Sequence, residues 1–134
     1  MTNILVMLID DDPLMPQILK PIFDVAGMGF ISITSEGNIL DKVQRSSPDV
    51  ILIEVILKNK DGLNIVEVLR QELRYTKPMI AISNRQSSDV LTRIRQSTLF
   101  NGYLPKPLDP MGLAGYLRYK IENSKNPWSS TTKI

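Results

Sequence analysis

With 134 residues, 43% of them hydrophobic and 22% charged, the chain is long enough for one domain with its own core and too apolar for a disordered segment. It has no cysteine and no histidine, which excludes disulfides, thiolate and imidazole metal sites, a Ser-His-Asp triad and a phosphohistidine carrier. Net charge is +2, yet residues 1–67 are net acidic and residues 68–134 net basic, a division able to steer an acidic partner.

Met-Thr-Asn at the start lacks the basic-then-apolar pattern of a secretory signal, and the longest apolar runs are strand-sized; a cytoplasmic protein without a membrane span is expected. Ile4–Ile9 (ILVMLI) is a continuous apolar run that predicts a strand buried on both faces. Asp10-Asp11-Asp12-Pro13 ends it and opens a helix, with Asp12 as N-cap and Pro13 at the first helical position. Leu14, Ile18, Ile22 and Val25 recur at helical spacing as its apolar side, and Pro21 predicts a kink or break within it.

Gly27-Met28-Gly29 turns into a short strand, Phe30–Thr34, and Ser35 or Gly37 begins a second helix with Ile39, Leu40 and Val43 inward. Asp49–Glu54 is the next strand, and Gly62 precedes a helix to about Arg74 with Val66, Leu69 and Leu73 inward. Pro78 introduces the strand Met79–Ser83, and the following helix contacts the core through Val90, Leu91 and Ile94. Gly102 begins a short strand ending at Pro105-Lys106-Pro107, and Pro110 opens a last helix with Leu113, Leu117 and Ile121 inward. Residues 1–123 form the domain; residues 124–134 are expected to be a mobile tail that only Trp128 is able to dock.

Strict alternation of strand and helix implies an α/β fold: a parallel sheet covered by helices on both faces. In such sheets the functional crevice lies beyond the carboxyl ends of the strands. Four polar signals stand at those ends: the aspartates from Asp10 to Asp12, Glu54, Ser83 and Lys106. Each has an ordinary reading as a cap, a turn residue or a solvated charge, but their occurrence at corresponding ends points to one site. Clustered carboxylates need a cation, for which Mg²⁺ and the Lys106 ammonium are both suited.

At this point the chain resembles the response-regulator receiver domain of two-component signalling. The resemblance rests on IDDDP (9–13), PDVILIEVILKNKDG (48–62), PMIAIS (78–83) and GYLPKP (102–107), in that order and spacing, and covers Ile4 to Ile121. It implies a flavodoxin-like (βα)5 doubly wound sheet of five parallel strands in the order 2-1-3-4-5. By position it implies that Asp10 and Asp11, with the Ile56 carbonyl, hold Mg²⁺, and that Ser83 and Tyr103 are the switch pair. Lys106 would bind a phosphoryl oxygen, and its bond to Pro107 is a candidate cis peptide.

The family's phosphoacceptor aspartate falls on Glu54. One added methylene misplaces the carboxylate by about 1 Å, enough to cost on the order of 10²-fold in a reaction that depends on positioning. The expectation is therefore an atypical, non-enzymatic receiver in which Glu54 forms a permanent ion pair with Lys106 or reaches Ser83. Further departures are Lys58, where the family commonly has proline, and Asn84 after the switch hydroxyl, where it would crowd a phosphodonor. The Lys58 or Lys60 ammonium is a candidate to neutralise the acids in place of the metal.

Expected partners are proteins, a histidine kinase or an output protein, and a second copy across the last two helices and final strand. That surface would include Arg93, Arg95, Tyr103, Arg118 and Tyr119. The short tail favours a stand-alone adaptor, and no helix-turn-helix or aromatic-basic motif points to nucleic acid. Two other readings compete. One is a true phosphoacceptor using Glu54; the other is a haloacid-dehalogenase-type phosphatase with Asp10 and Asp12 as nucleophile and general acid. The latter lacks a cap insertion and a late acidic pair.

Overall fold

The computed structural model describes residues 3–83 and 88–124. Five strands, β1 (Leu5–Ile9), β2 (Gly29–Ile33), β3 (Val50–Glu54), β4 (Met79–Ser83) and β5 (Gly102–Pro105), alternate with helices. The helices are α1 (Leu14–Val25), α2 (Ile39–Ser46), α3 (Gly62–Gln71), α4 (Ser88–Gln96) and α5 (Leu113–Asn123). All strand pairs are parallel and run in the order β2-β1-β3-β4-β5, the flavodoxin-like arrangement the resemblance implies.

The period-2 alternation of the strands divides the core. Val6, Leu8, Val50, Leu52, Ile80 and Ile82 pack beneath Met15, Leu19 and Phe23 of α1 and Leu113 and Leu117 of α5. Met7, Ile9, Ile51, Ile53 and Met79 face Ile39 and Val43 of α2 and Ile65, Val66 and Leu69 of α3. A smaller cluster seats α4 through Val90 and Ile94 on Val55 and Ala81. Glu54 shares the parity of Val50 and Leu52, so its side chain leaves the strand's end on the face covered by α1 and α5.

Several elements differ from the sequence reading. Helix α1 buries Met15, Leu19 and Phe23, and leaves Leu14, Ile18 and Val25 exposed (58, 51 and 91%), with Ile22 half-buried. The two apolar stripes lie one residue apart, a rotation of about 100°, and the larger Met, Leu and Phe side chains fill the space over the sheet. The helix also runs unbroken through Pro21, which removes a single backbone donor. It starts at Leu14, whose N–H is received by Asp12 Oδ1 at 2.9 Å, so Asp12 caps it from one residue further out than predicted.

Helix α2 begins later than Ser35 or Gly37, with Asn38 as N-cap accepting from the Asp41 N–H. Helix α3 stops at Gln71, leaving Leu73 and Arg74 beyond it, and α5 starts at Leu113 after the left-handed Gly112 (φ 81°). Leu40, Leu91 and Ile121 are half-buried where full burial was expected. Asn84 and Trp128, with the tail from residue 125, lie outside the described residues.

One buried cation had no place in the sequence reading. Arg70 of α3, 4% exposed, donates to the carbonyls of Tyr75, Lys77 and Leu99 and to Asn101 Oδ1, joining α3 to the segments before β4 and β5. Burial pushes its guanidinium down to about 10, and the facing Tyr75 ring, 5.9 Å away, works in the opposite direction.

Gly62 sets how closely α3 approaches the end of β3. A Cβ there would sit 2.6 Å from the Glu54 carbonyl oxygen and 2.7 Å from Val55 Cα, both backbone atoms that cannot swing aside. Gly62→Ala is expected to cost about 1–3 kcal/mol of stability by overpacking, measured by urea denaturation; a neutral result would mean that α3 is free to slide.

Candidate functional site

The carboxyl edge of the sheet brings Asp10, Glu54 and Lys106 together from β1, β3 and β5. Backbone ladders carry the chain into place: the Asp10 N–H continues to the Ile33 carbonyl, Val55 to Ile82, and Lys106 to Ser83. Lys106 Nζ lies 2.6 Å from Asp10 Oδ2 and 2.8 Å from Glu54 Oε1, and all three side chains are under 10% exposed. The Lys106–Asp10 contact is a close ion pair. Asp10 Oδ1 accepts from the Asp12 N–H at 3.0 Å.

Glu54 is engaged at both oxygens. While Oε1 meets Lys106, Oε2 accepts from the Ile56 N–H two residues on, at 3.1 Å. The longer side chain thus folds back onto its own backbone and still reaches the ammonium. Of the two contacts expected for it, the one with Lys106 is made. Ile56 presents its N–H to this site, and its residue pairs antiparallel with Asp61 as an isolated bridge.

Asp11 is held by other partners. Its Oδ1 accepts from the Ser35 N–H at 2.7 Å; its Oδ2 accepts from the Ser35 hydroxyl at 2.9 Å and the Lys58 N–H at 2.8 Å. Burial disfavours the Asp11 charge, but these donors and the Lys58 charge outweigh it and hold the carboxyl below its ordinary 3.8. Lys58 therefore acts on the acids through its backbone as well as its ammonium. Lys60 instead points its Nζ at the Gly37 carbonyl, 3.3 Å away. Ser35, read from sequence as a helix start, was missed as a partner of Asp11; the available signal was its place at the end of β2, next to β1.

Ser83 is fully buried at the end of β4, beside the Lys106 backbone. Tyr103 packs its ring on the cluster of Val55, Ala81, Val90 and Ile94, with its hydroxyl buried and unpaired among the described residues. The Lys106–Pro107 bond is cis. On the candidate partner surface, Arg93 is paired with Asp61, Arg118 donates to the Ala26 carbonyl, and Arg95 and Tyr119 are exposed.

The donor set does not fit the Mg²⁺ that the resemblance implies. Mg²⁺ demands near-octahedral oxygen ligands; here Asp10 Oδ2 faces an ammonium and Asp11 spends most of its lone pairs on N–H and O–H donors. Among the described residues no three acidic or imidazole side chains are grouped to hold a metal ion.

Burial alone would lower the Lys106 pKa, but its close contacts with Asp10 and Glu54, and their charges, raise it above the ordinary 10.5. A cation pair of this burial is costly to break, because its partners are left as uncompensated charges. Lys106→Met is expected to destabilise the protein by about 3–5 kcal/mol at neutral pH, measured by chemical denaturation. The sign of the pH dependence follows from the raised value. The ion-pair contribution is whole below pH 10.5 and is lost as pH climbs through the higher folded-state value. Denaturation curves of both proteins should therefore converge as pH rises through that value.

A family model described as response regulator receiver domain matches residues 6–118. The sensor protein TorS of Escherichia coli (strain K12) is 27% identical over 125 residues, covering 90% of this chain and 14% of its own length. The transcriptional regulatory protein CpxR of Escherichia coli (strain K12) is 29% identical over 125 residues, covering 92% of this chain and 51% of its own. The chain thus spans about half, or much less, of these relatives. The solved chemotaxis protein CheY4 of Vibrio cholerae has a TM-score of 0.77 at 22% identity, covering 89% of this chain and 99% of that one. No helix among the described residues is long and apolar enough to cross a membrane.

Proposed function

The chain belongs to the response regulator receiver domain family, and from that premise we propose that it is an atypical receiver whose signalling state is set by a standing Glu54–Lys106 ion pair and not by phosphorylation. Receiver domains are signalling modules of two-component systems that interact with histidine kinases and output domains. The observation that carries the atypical reading is the engagement of both Glu54 oxygens, one by Lys106 at 2.8 Å and one by the Ile56 N–H at 3.1 Å. A phosphoacceptor must offer a free oxygen in line with the donor phosphorus. Glu54, 5% exposed, has one contact on each oxygen, and its burial restricts the approach of a donor.

In this reading Glu54 occupies the acceptor position, Asp10 shares its counter-ion, and Ser83 and Tyr103 stand at the switch positions. Residues 1–123 act as the module. Output passes through protein contact, with the exposed Arg95 and Tyr119 and the neighbouring Arg93 and Arg118 on the basic face of α4, β5 and α5. A histidine kinase, an output protein or a second copy are the partner classes, as the kinship with a sensor protein and a transcriptional regulator suggests.

The test combines labelling with spectroscopy. With radiolabelled acetyl phosphate and Mg²⁺, the wild-type protein is expected to take up no stable label and to keep its amide NMR spectrum. Glu54→Gln, which removes the charge opposite Lys106, is expected to shift the amides of Ser83, Tyr103 and Lys106. Stable label on the wild type that disappears in Glu54→Gln would make Glu54 a working acceptor and overturn the proposal.

A further inference from the structure

Asp10 and Asp11 are neighbours in sequence, yet the structure gives them different surroundings. Asp10 is 3% exposed and faces Lys106; Asp11 reaches sideways to Ser35 and Lys58. We infer that Asp11 is a tie between three loops and that this tie, together with the Lys106 ammonium, bars divalent cations from the site. The inference deepens the proposed function and rests on it, since it names what replaces the metal in a receiver that does not accept phosphoryl groups.

The loops after β1, β2 and β3 meet on the same edge of the sheet. Asp11 belongs to the first, Ser35 to the second and Lys58 to the third, and one carboxylate joins them by three hydrogen bonds of 2.7, 2.9 and 2.8 Å. A carboxylate has about four lone-pair sites. Oδ2 has both of its sites filled, by the Ser35 hydroxyl and the Lys58 N–H, and Oδ1 has one filled by the Ser35 N–H. One site remains on Oδ1, and reorienting the carboxylate toward an ion would break the other three bonds.

Nor does Asp10 supply the missing ligand. Its Oδ1 takes the Asp12 N–H, and its Oδ2 is in contact with Lys106 Nζ. An ion placed between Asp10 and Glu54 would have to displace an ammonium already paired with both, or sit against its positive charge. Two of the three donors depend on residue identity. Ser35 is a buried polar residue whose hydroxyl serves Asp11. At position 58 proline would have no N–H to give, whereas Lys58 donates one.

Mn²⁺ is the probe, with free ion followed by electron paramagnetic resonance at millimolar concentration on the full chain. Wild type is expected to leave the free Mn²⁺ signal unchanged. Ser35→Ala/Lys58→Pro, which deletes two of the three donors, is expected to bind Mn²⁺ with affinity raised on the order of 10–100-fold, the usual scale of outer-shell effects on metal ligands. Adding Asp11→Asn should abolish that gain, and excess Mg²⁺ should compete for it. Ser35→Ala alone leaves the backbone intact and should move in the same direction by less, which covers the case in which proline at 58 impairs folding. In metal-free buffer, Asp11→Asn should lower the melting temperature of the wild type.

Mn²⁺ uptake by the wild type that is lost in Asp11→Asn overturns the inference. So does a cooperatively folded Ser35→Ala that gains nothing, or an Asp11→Asn variant that melts like the wild type. Failure here is separable from failure of the signalling reading, because that reading falls only if the same metal-bearing samples acquire phosphoryl label on Glu54.

Discussion

An ammonium held between two carboxylates, with all three side chains nearly out of water, is the constraint around which the functional edge of this protein is arranged. Charges at such depth are tolerated only when each is matched. The match here crosses the sheet: Asp10 follows β1, Glu54 ends β3, and Lys106 follows β5, on the far side of β4 in the strand order. Any slip in register between β3, β4 and β5 would part the charges, because Glu54 is paired with Ile82 and Ser83 with Pro105 along the same edge.

The third acid is neutralised by different means. Among the described residues no ammonium is in hydrogen-bond contact with Asp11, which is instead solvated by backbone N–H groups and a hydroxyl. The protein thus replaces solvent by fixed dipoles at one carboxylate and by a fixed cation at the other two. Each of the three acids thus has protein partners of its own.

Glutamate at position 54 is central to that closure. Its extra methylene lets one carboxylate meet Lys106 and also return to the Ile56 N–H, so the start of the β3–α3 loop is bound to the end of its own strand. Gly62 then allows α3 to close on the same strand end, with backbone atoms nearer than any side chain would permit. The acid, the loop and the helix start form one unit, and Lys58 in that loop gives its N–H to Asp11.

The strand–helix alternation, the parallel sheet and the convergence of Asp10, Glu54 and Lys106 were legible in the sequence. Unbroken apolar runs and turn residues specify where strands stop, and parallel strands bring their carboxyl ends to one edge. The inward face of α1 was not legible, because two adjacent stripes, Leu14-Ile18-Val25 and Met15-Leu19-Phe23, are both apolar, and only the shape of the sheet surface chooses between them. The role of Arg70 was hidden for a similar reason: apart from Asn101 Oδ1, the acceptors given for it are backbone carbonyls, which every residue carries and no sequence pattern marks. The sequence by itself determined which charges would meet, since side-chain type and strand order suffice for that. Only the tertiary structure decided how each is satisfied, because the backbone N–H groups that claim Asp11 and Glu54 acquire direction from the path of the loops and not from the identity of the residues that bear them.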